Sequence, residues 1–344
     1  MEDLKLALLG FGNAAQAFAR MLLDKEEEIE RTYGRGVKVT AVTTPTKGTI
    51  LNGRGIDLEK ALKDVASVGR FREDTEGLCQ MDAFQVIEKA DCDVVCELTP
   101  LNIATGQPAT DHIRRAFQRG KHVISANKGP IAWAFDELKS LAEEKGLLFF
   151  YETTVMDGTP VFNLMEHTLK FCKVTEVSGI LNSTTNYILE ELACGKAFDE
   201  ILEAGKKKGF IEADPSMDIE GFDAAAKTAA LLNVLMGAGI TPADVKREGI
   251  ENITVDTIRE AEKRGKVIKL LCCGKREGDK TEAWVKPVEV DRHDMLASID
   301  STTSVVSITT DLMGKLSIIE HQPEIQQTAY GIFGDVIRVL DSLK

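Results

Sequence analysis

The sequence predicts an α/β protein in two parts: a doubly wound parallel sheet covered by helices, then an α+β part. Three observations carry this prediction. Short apolar runs alternate with helical patterns over residues 1–150, as expected of a parallel sheet buried on both faces. Beyond Tyr151 the texture changes to long helices and then strands of period two. The 344 residues also suit two domains, at roughly 150 residues each.

In chain order, residues 4–9 are a short apolar run, and an Ala-rich helical stretch follows at 13–23. Residues 37–42 are β-branched, as a strand prefers. Asp-Val-Val-Cys-Glu-Leu at 93–98 is a further buried strand, leading to a helical pattern that ends near Arg119 and Gly120. His122-Val123-Ile124-Ser125 is a fourth strand, 135–145 a helix and 147–151 a fifth strand. The second part has helical segments at 159–169, 184–194, 198–208 and 222–236, and strands at 283–290, 304–310 and 316–319. A last helix spans 326–343. Domains are expected at 1–150 and 151–320, with 321–344 packing back on the first. No repeat or low-complexity segment interrupts them.

Composition mainly excludes. The formal net charge is −13 and the longest basic run is Lys206-Lys207-Lys208, which argues against nucleic acid and anionic membranes as partners. No apolar stretch reaches the roughly 18 residues of a membrane span, and Met1-Glu2-Asp3-Leu4-Lys5 is unlike a signal peptide. Seven cysteines, none in a Cys-x-x-Cys pair, suggest neither a zinc ribbon nor a thioredoxin-type site. Reduced thiols in a cytoplasm are the simple reading. The five histidines have no metal-ligand spacing and are read as structural, although His321 could line a cofactor mouth.

Gly10-Phe11-Gly12-Asn13-Ala14-Ala15 reads G-x-G-x-x-A between a strand and a helix. The first glycine permits the tight turn and the second lets backbone approach a pyrophosphate. The small last residue allows helix–strand packing, and the helix N-terminus favours phosphate charge. This is the Rossmann-type arrangement, and it predicts NAD or NADP. An NAD-selective site usually carries an acid at the end of the second strand. Here that end reads Thr43-Thr44-Pro45-Thr46-Lys47, without a carboxylate to repel a 2′-phosphate and with Lys47 to attract one. NADP is expected to be tolerated, although a solvated turn reads the same way. Lys128 follows the fourth strand, where such sheets open into a ligand crevice, although that segment alone also suits a surface lysine.

The richest stretch is 209–227. It holds Glu212, Asp214, Asp218, Glu220 and Asp223 ahead of Lys227. Asp223 and Lys227 are four apart on one helical face, and they are the only charges between Phe222 and Ile240. The rest of that helix is apolar nearly all round, so it is read as buried. Charges are seldom carried inside unless paired or functional. A structural ion pair is one reading, and the acids fail the EF-hand template for calcium. A buried lysine is pulled down in pKa by burial and pushed up by its acid, which suits proton transfer at a hydroxyl or carbonyl oxygen. Neighbouring carboxylates would grip a substrate ammonium group.

At these residues the sequence resembles the homoserine dehydrogenase family over essentially its whole length. The resemblance rests on residues 10–15, Asn127-Lys128-Gly129-Pro130, Tyr151-Glu152-Thr153-Thr154-Val155, the stretch 179–189 and the stretch 209–227. It implies NAD(P)-dependent interconversion of L-homoserine and L-aspartate 4-semialdehyde, toward threonine and methionine. Carried over by position, Lys227 is the proton donor and acceptor and Asp223 its partner. Glu212 and Asp218 hold substrate, and Lys128 contacts cofactor and substrate. Thr99 and Gly179 approach the nicotinamide half. Glu152, with backbone groups of Val155, Asp157 and Thr159, matches a monovalent-cation site, usually for sodium. The family is typically a homodimer through its second domain, which makes that α+β part catalytic and dimerising. Many members carry a regulatory ACT domain. This chain ends first, so threonine feedback through one is not expected.

Three places depart from the family pattern. A glycine-rich segment usually precedes the last helix, where this chain has His321-Gln322-Pro323-Glu324-Ile325-Gln326-Gln327. Ser183 stands where glycine is commoner, and Met156-Asp157 where Gly-Ala is common. An oxidoreductase of another small hydroxy acid or aldehyde, and a non-catalytic dinucleotide-binding protein, are therefore carried as alternatives.

Overall fold

The computed structural model describes residues 2–208, 211–212, 214–278 and 280–344. Gly209, Phe210 and Ala213 of the acid-rich stretch lie outside the described residues. In chain order the elements are β1 (Leu4–Leu9), α1 (Asn13–Asp24), α2 (Glu26–Tyr33), β2 (Val37–Thr44), β3 (Gly48–Leu51), α3 (Leu58–Val68), β4 (Leu78–Cys79), α4 (Ala83–Lys89), β5 (Val94–Glu97), α5 (Ala109–Gln118), β6 (His122–Ser125), α6 (Lys128–Glu144) and β7 (Phe149–Phe150). There follow α7 (Val161–Asn163), β8 (Val174–Ile180), α8 (Ser183–Ala193), α9 (Phe198–Lys208), α10 (Ser216–Ile219), α11 (Phe222–Met236), β9 (Lys246–Arg247), α12 (Val255–Lys263), β10 (Lys266–Glu277), β11 (Lys280–Asp291), β12 (Ser304–Thr310), β13 (Gly314–Glu320) and α13 (Ile325–Ser342). They group into two units: residues up to Pro160 with Glu324–Lys344, and Val161–Pro323.

The first unit holds a seven-stranded sheet in the order β4-β3-β2-β1-β5-β6-β7. Strands β2, β1, β5, β6 and β7 are mutually parallel. Alternation along each strand feeds two cores. Leu4, Leu6 and Leu8 of β1 join Val94, Cys96 and Ile124 on one face, and Ala7 and Leu9 join Val95 and Val123 on the other. Burying each such leucine is worth about 1.5–3 kcal/mol. Helix α1 presents Ala15, Phe18, Ala19 and Leu22 inward, and α13 adds Ile332, Val336 and Val339 to the same core. The chain leaves β1 toward β2 on one side and returns to β5 on the other. The loops after β1 and β5 therefore flank the switch point, where such sheets bind ligands.

Not every predicted element holds in detail. After β2 the chain does not enter a helix but turns back at residues 45–47 into β3, which pairs antiparallel, so this edge of the sheet is mixed. The predicted helix 135–145 is preceded by a further helical run from Lys128, which Asn127 caps through the Gly129 N–H with Pro130 in the tolerant first turn. The two runs meet at a kink at Ala134 (φ −145°). Strand 147–151 shortens to Phe149–Phe150. The predicted helix 159–169 is only α7 followed by a π turn, Leu164–Thr168.

The second unit holds a six-stranded sheet in the order β13-β12-β8-β10-β11-β9. It is antiparallel except where β9 joins β11. Helix α11 packs on β8, β10 and β11. Gly274 permits this, since a Cβ there would lie 2.2 Å from a Leu232 methyl. Strands β8 and β10 are additions to the sequence reading. In β8 the apolar residues Val174, Val177 and Ile180 fall three apart, which is not a strand period.

Candidate active site

The loop after β1 begins at Gly10, whose N–H donates to the Thr43 carbonyl (2.9 Å). Its φ is +111°, and a Cβ would sit 2.3 Å from the Leu98 carbonyl oxygen, so only glycine fits. Gly12 is different, since a Cβ there would meet nothing within 4 Å. It is the N-cap of α1, and no side chain caps that helix. Uncapped N–H groups beside open space, with Gly12 and Asn13 exposed, fit a pyrophosphate. Phe11 is buried against Phe71, so it offers backbone alone, and Ala14 packs on the core.

Around this loop the predicted residues divide by what holds them. The Thr43 hydroxyl is shared with the Thr49 hydroxyl (2.8 Å) and the Met81 carbonyl (3.3 Å), so its side chain ties β2 to its neighbours. Lys47 is half-buried in the β2–β3 turn, where its N–H donates to the Thr44 hydroxyl. Thr99, just past β5, donates its hydroxyl to the fully buried Glu97 carboxylate (2.5 Å). Glu97 also meets His112 Nδ1 (3.1 Å). The Thr99 carbonyl accepts from Asn127 Nδ2 (3.0 Å), the residue that caps α6. Lys128 is the first residue of that helix and is half-buried. Glu97, His112 and Asn127 thus frame two predicted site residues. The sequence reading gave them no part because their roles depend on pairings 15 and 28 residues apart.

The predicted cation loop lies in the same unit. Glu152 is 3% exposed, and its N–H donates to the Asp335 carboxylate (3.0 Å). Burial, first, pushes Asp335 up to about 7, with Arg338 opposing. The Thr153 hydroxyl is buried without a hydrogen-bond partner. Asp157 has φ +45°, which Asp tolerates better than most side chains, and its carboxylate accepts from the Thr328 hydroxyl (2.7 Å). Val155 and Thr159 are buried beside it. No group of three or more His, Cys, Asp or Glu side chains among the described residues is placed to hold a metal. A cation here would depend on one buried carboxylate and neutral oxygens, a set suited to a hard ion of low charge.

In the second unit, Asp223 and Lys227 lie on one face of α11, with Oδ2 and Nζ 3.4 Å apart and side chains 14% and 18% exposed. Lys227 Nζ donates to the Leu181 carbonyl (2.7 Å). Asn182 Nδ2 donates to Asp218 Oδ1 (2.6 Å) and Asp223 Oδ2 (3.0 Å). The structure therefore joins Asp218, Asp223 and Lys227 in one bonded set around residues 181–182. Glu212 is exposed and outside that set. Gly179 of β8 is required by its neighbour strand, since a Cβ would lie 2.1 Å from the Val305 carbonyl oxygen. Ser183, half-buried, begins α8. Asn182 is the residue missed here. It sits in a recognised stretch, but nothing in the linear sequence shows that its amide reaches two acids 36 and 41 residues away.

Comparison with known proteins bears on this geometry. The family model described as homoserine dehydrogenase matches residues 160–337, and that of the homoserine dehydrogenase NAD binding domain matches 10–152. The chain belongs to the homoserine dehydrogenase family. It is 34% identical to an NAD(+)-dependent homoserine dehydrogenase of Pseudomonas canavaninivorans, over 99% of this chain and 97% of that one. It is 35% identical to the homoserine dehydrogenase of Methanocaldococcus jannaschii, over 98% and 99%. A hyperthermophilic archaeal homoserine dehydrogenase solved in complex with NADPH superposes with a TM-score of 0.83, at 26% identity over 98% and 97% of the two chains. The first unit is an NAD-binding domain, and the Rossmann-type expectation for it holds. No helix among the described residues is long and apolar enough to cross a membrane.

Proposed function

We propose that this protein interconverts L-homoserine and L-aspartate 4-semialdehyde with NAD or NADP. The observation that carries the reading is the bonded set of Asp218, Asp223 and Lys227 in a family member that has an NAD-binding domain. When bound, the dinucleotide supplies the hydride for reduction or accepts it in oxidation. The chain's own residues do the rest.

Residues 10–14 would hold the pyrophosphate through backbone, and Thr99 and Gly179 are assigned to the nicotinamide half by their match to the family. The missing acid after β2, with Lys47 in the turn, supports tolerance of NADP. Kinetics with both cofactors checks this, and a large preference for NAD would count against it. Asp218 and Glu212 hold the substrate ammonium group, while Lys128 orients substrate against the cofactor. Lys227 gives a proton to the aldehyde oxygen during reduction and takes it from the hydroxyl during oxidation. Asp223 keeps the ammonium aimed, and the apolar face of α11 limits water around it. Glu152, with carbonyls of Val155, Asp157 and Thr159, would hold a monovalent cation, usually sodium, that orders the loop. A homodimer formed through the second unit belongs to the same reading, testable by sedimentation. So does a cytoplasmic location, which the seven free thiols support.

Lys227→Ala is expected to lower kcat by on the order of a hundredfold or more while KM changes little, as for an acid–base group. An unchanged kcat would refute the assignment. A second reading, turnover of another small aldehyde, is favoured by one observation: Gln322 takes φ +43° in a segment where the family usually has glycines. A panel of aldehydes separates the two.

A further inference from the structure

We propose that Asn182 is a positioning residue for this reaction, its side-chain amide holding the Asp218 and Asp223 carboxylates in place beside Lys227. The inference rests on the function proposed above, and its test is separable from it.

Asn182 is 4% exposed and lies between β8 and α8 as the N-cap of that helix. Its Oδ1 accepts from the Thr185 N–H (2.8 Å) and hydroxyl (2.9 Å). A backbone N–H can only donate, so the carbonyl side of the amide must face the helix and the NH2 must face the acids. Both N–H groups are then used, one on each carboxylate. The acids come from different elements, Asp218 from α10 and Asp223 from the start of α11, with Gly221 turning between them at φ +78°. Two carboxylates this close repel, and each then favours its protonated form. Donors from one amide oppose that and fix the separation. The oxygen of Asp223 that accepts from Asn182 is also the one nearest Lys227 Nζ, and the same lysine donates to the preceding residue's carbonyl. One peptide link, between Leu181 and Asn182, therefore registers all three side chains.

Few residue types could do this. Ser and Asp cap helices as well as Asn, but Ser has a single short donor, and ionised Asp would add a third carboxylate. An ionisable group that faces the set from the sheet is Cys272 on β10, whose thiol lies 3.9 Å from the Ala224 carbonyl. Burial pushes its thiol up to about 11, so it stays neutral. From the strand side, Arg247 is occupied over the Phe222 ring and on the Glu220 carbonyl.

The test compares Asn182→Ser and Asn182→Asp with the wild type in pH profiles of kcat/KM and in melting temperature. Both variants keep a helix cap. We expect Asn182→Ser to lower kcat roughly ten- to a hundredfold, a misplacement cost, and the acid limb of its profile to move to higher pH. Raising the pH should restore part of the loss, and Asn182→Asp should shift further. Profiles matching the wild type, with only the melting temperature changed, would overturn the proposal and leave a cap. If neither variant folds, selective 15N labelling of Asn in the wild type decides. The Asn182 side-chain amide signals should move with the titration of Asp218 and Asp223, and signals that stay fixed would overturn it. Wild-type protein inactive on homoserine would sink the proposed function instead, and the amide titration would still report on the bridge.

Discussion

A methyl group added at Gly10 would sit 2.3 Å from a carbonyl oxygen, and one added at Gly12 would touch nothing within 4 Å. The two glycines of one motif therefore make opposite predictions. Gly12→Ala should melt within about 2 °C of the wild type yet bind dinucleotide about tenfold or more weakly, read by titration of NADH or NADPH fluorescence. Gly10→Ala should lose stability as well, by about 1–3 kcal/mol for strain alone. Equal dinucleotide affinity in Gly12→Ala would show that the open space is not the pyrophosphate site. Both glycines were legible in the sequence because a tight turn and a close approach each demand the same residue type. What the sequence did not show is the Leu98 carbonyl that closes the space at Gly10, since that depends on where the fold puts Leu98. The same limit hid Asn182, a common polar residue whose partners are assembled only by the fold.

Elements were most legible where one period dominates. The run at 4–9 alternates between two cores, and α1 buries residues three and four apart, so both were readable. Strand β8 was not, because its apolar residues fall three apart and its stability comes from β10 and β12 on either side. The start of α6 was hidden by Gly129-Pro130, which reads as a break until Asn127 is seen capping it. Strand β6 also carries a pH-sensitive tie. His122 Nδ1 accepts from the Leu148 N–H (3.0 Å), and burial, opposed by Asp93, holds its pKa below the usual 6.5. The unfolded chain then binds the proton more readily, so this contribution is complete above pH 6.5 and is lost as pH falls through the lowered value. His122→Asn places an amide oxygen where Nδ1 accepts. It is expected to flatten the loss of stability between pH 7 and 5 in denaturant titrations. An unchanged slope would remove His122 from the account.

At the scale of the molecule, the parallel sheet and the family's span were readable from alternation and motif, whereas the order of the strands and the mixed edge at β3 were not. The first of the two units is the NAD-binding domain, and the proposed function assigns the substrate to the second. Seven free thiols run through both, and Cys194 is exposed while Cys96 and Cys272 are buried. A thiol reagent should therefore modify Cys194 in the native protein and reach Cys96 and Cys272 only on unfolding. Prompt native labelling of either would contradict the packing. The acid surplus acquires a local meaning in the same way. Within a chain of net charge −13, Asp218 and Asp223 are held together beside Lys227, and under the proposed function they favour an ammonium-bearing substrate. The most direct test is oxidation of NADPH or NADH by the purified protein, with L-aspartate 4-semialdehyde beside a panel of aldehydes that lack the amino group. The account predicts turnover of the semialdehyde well above the panel. Turnover confined to the other aldehydes, or dinucleotide binding with no turnover at all, would contradict it.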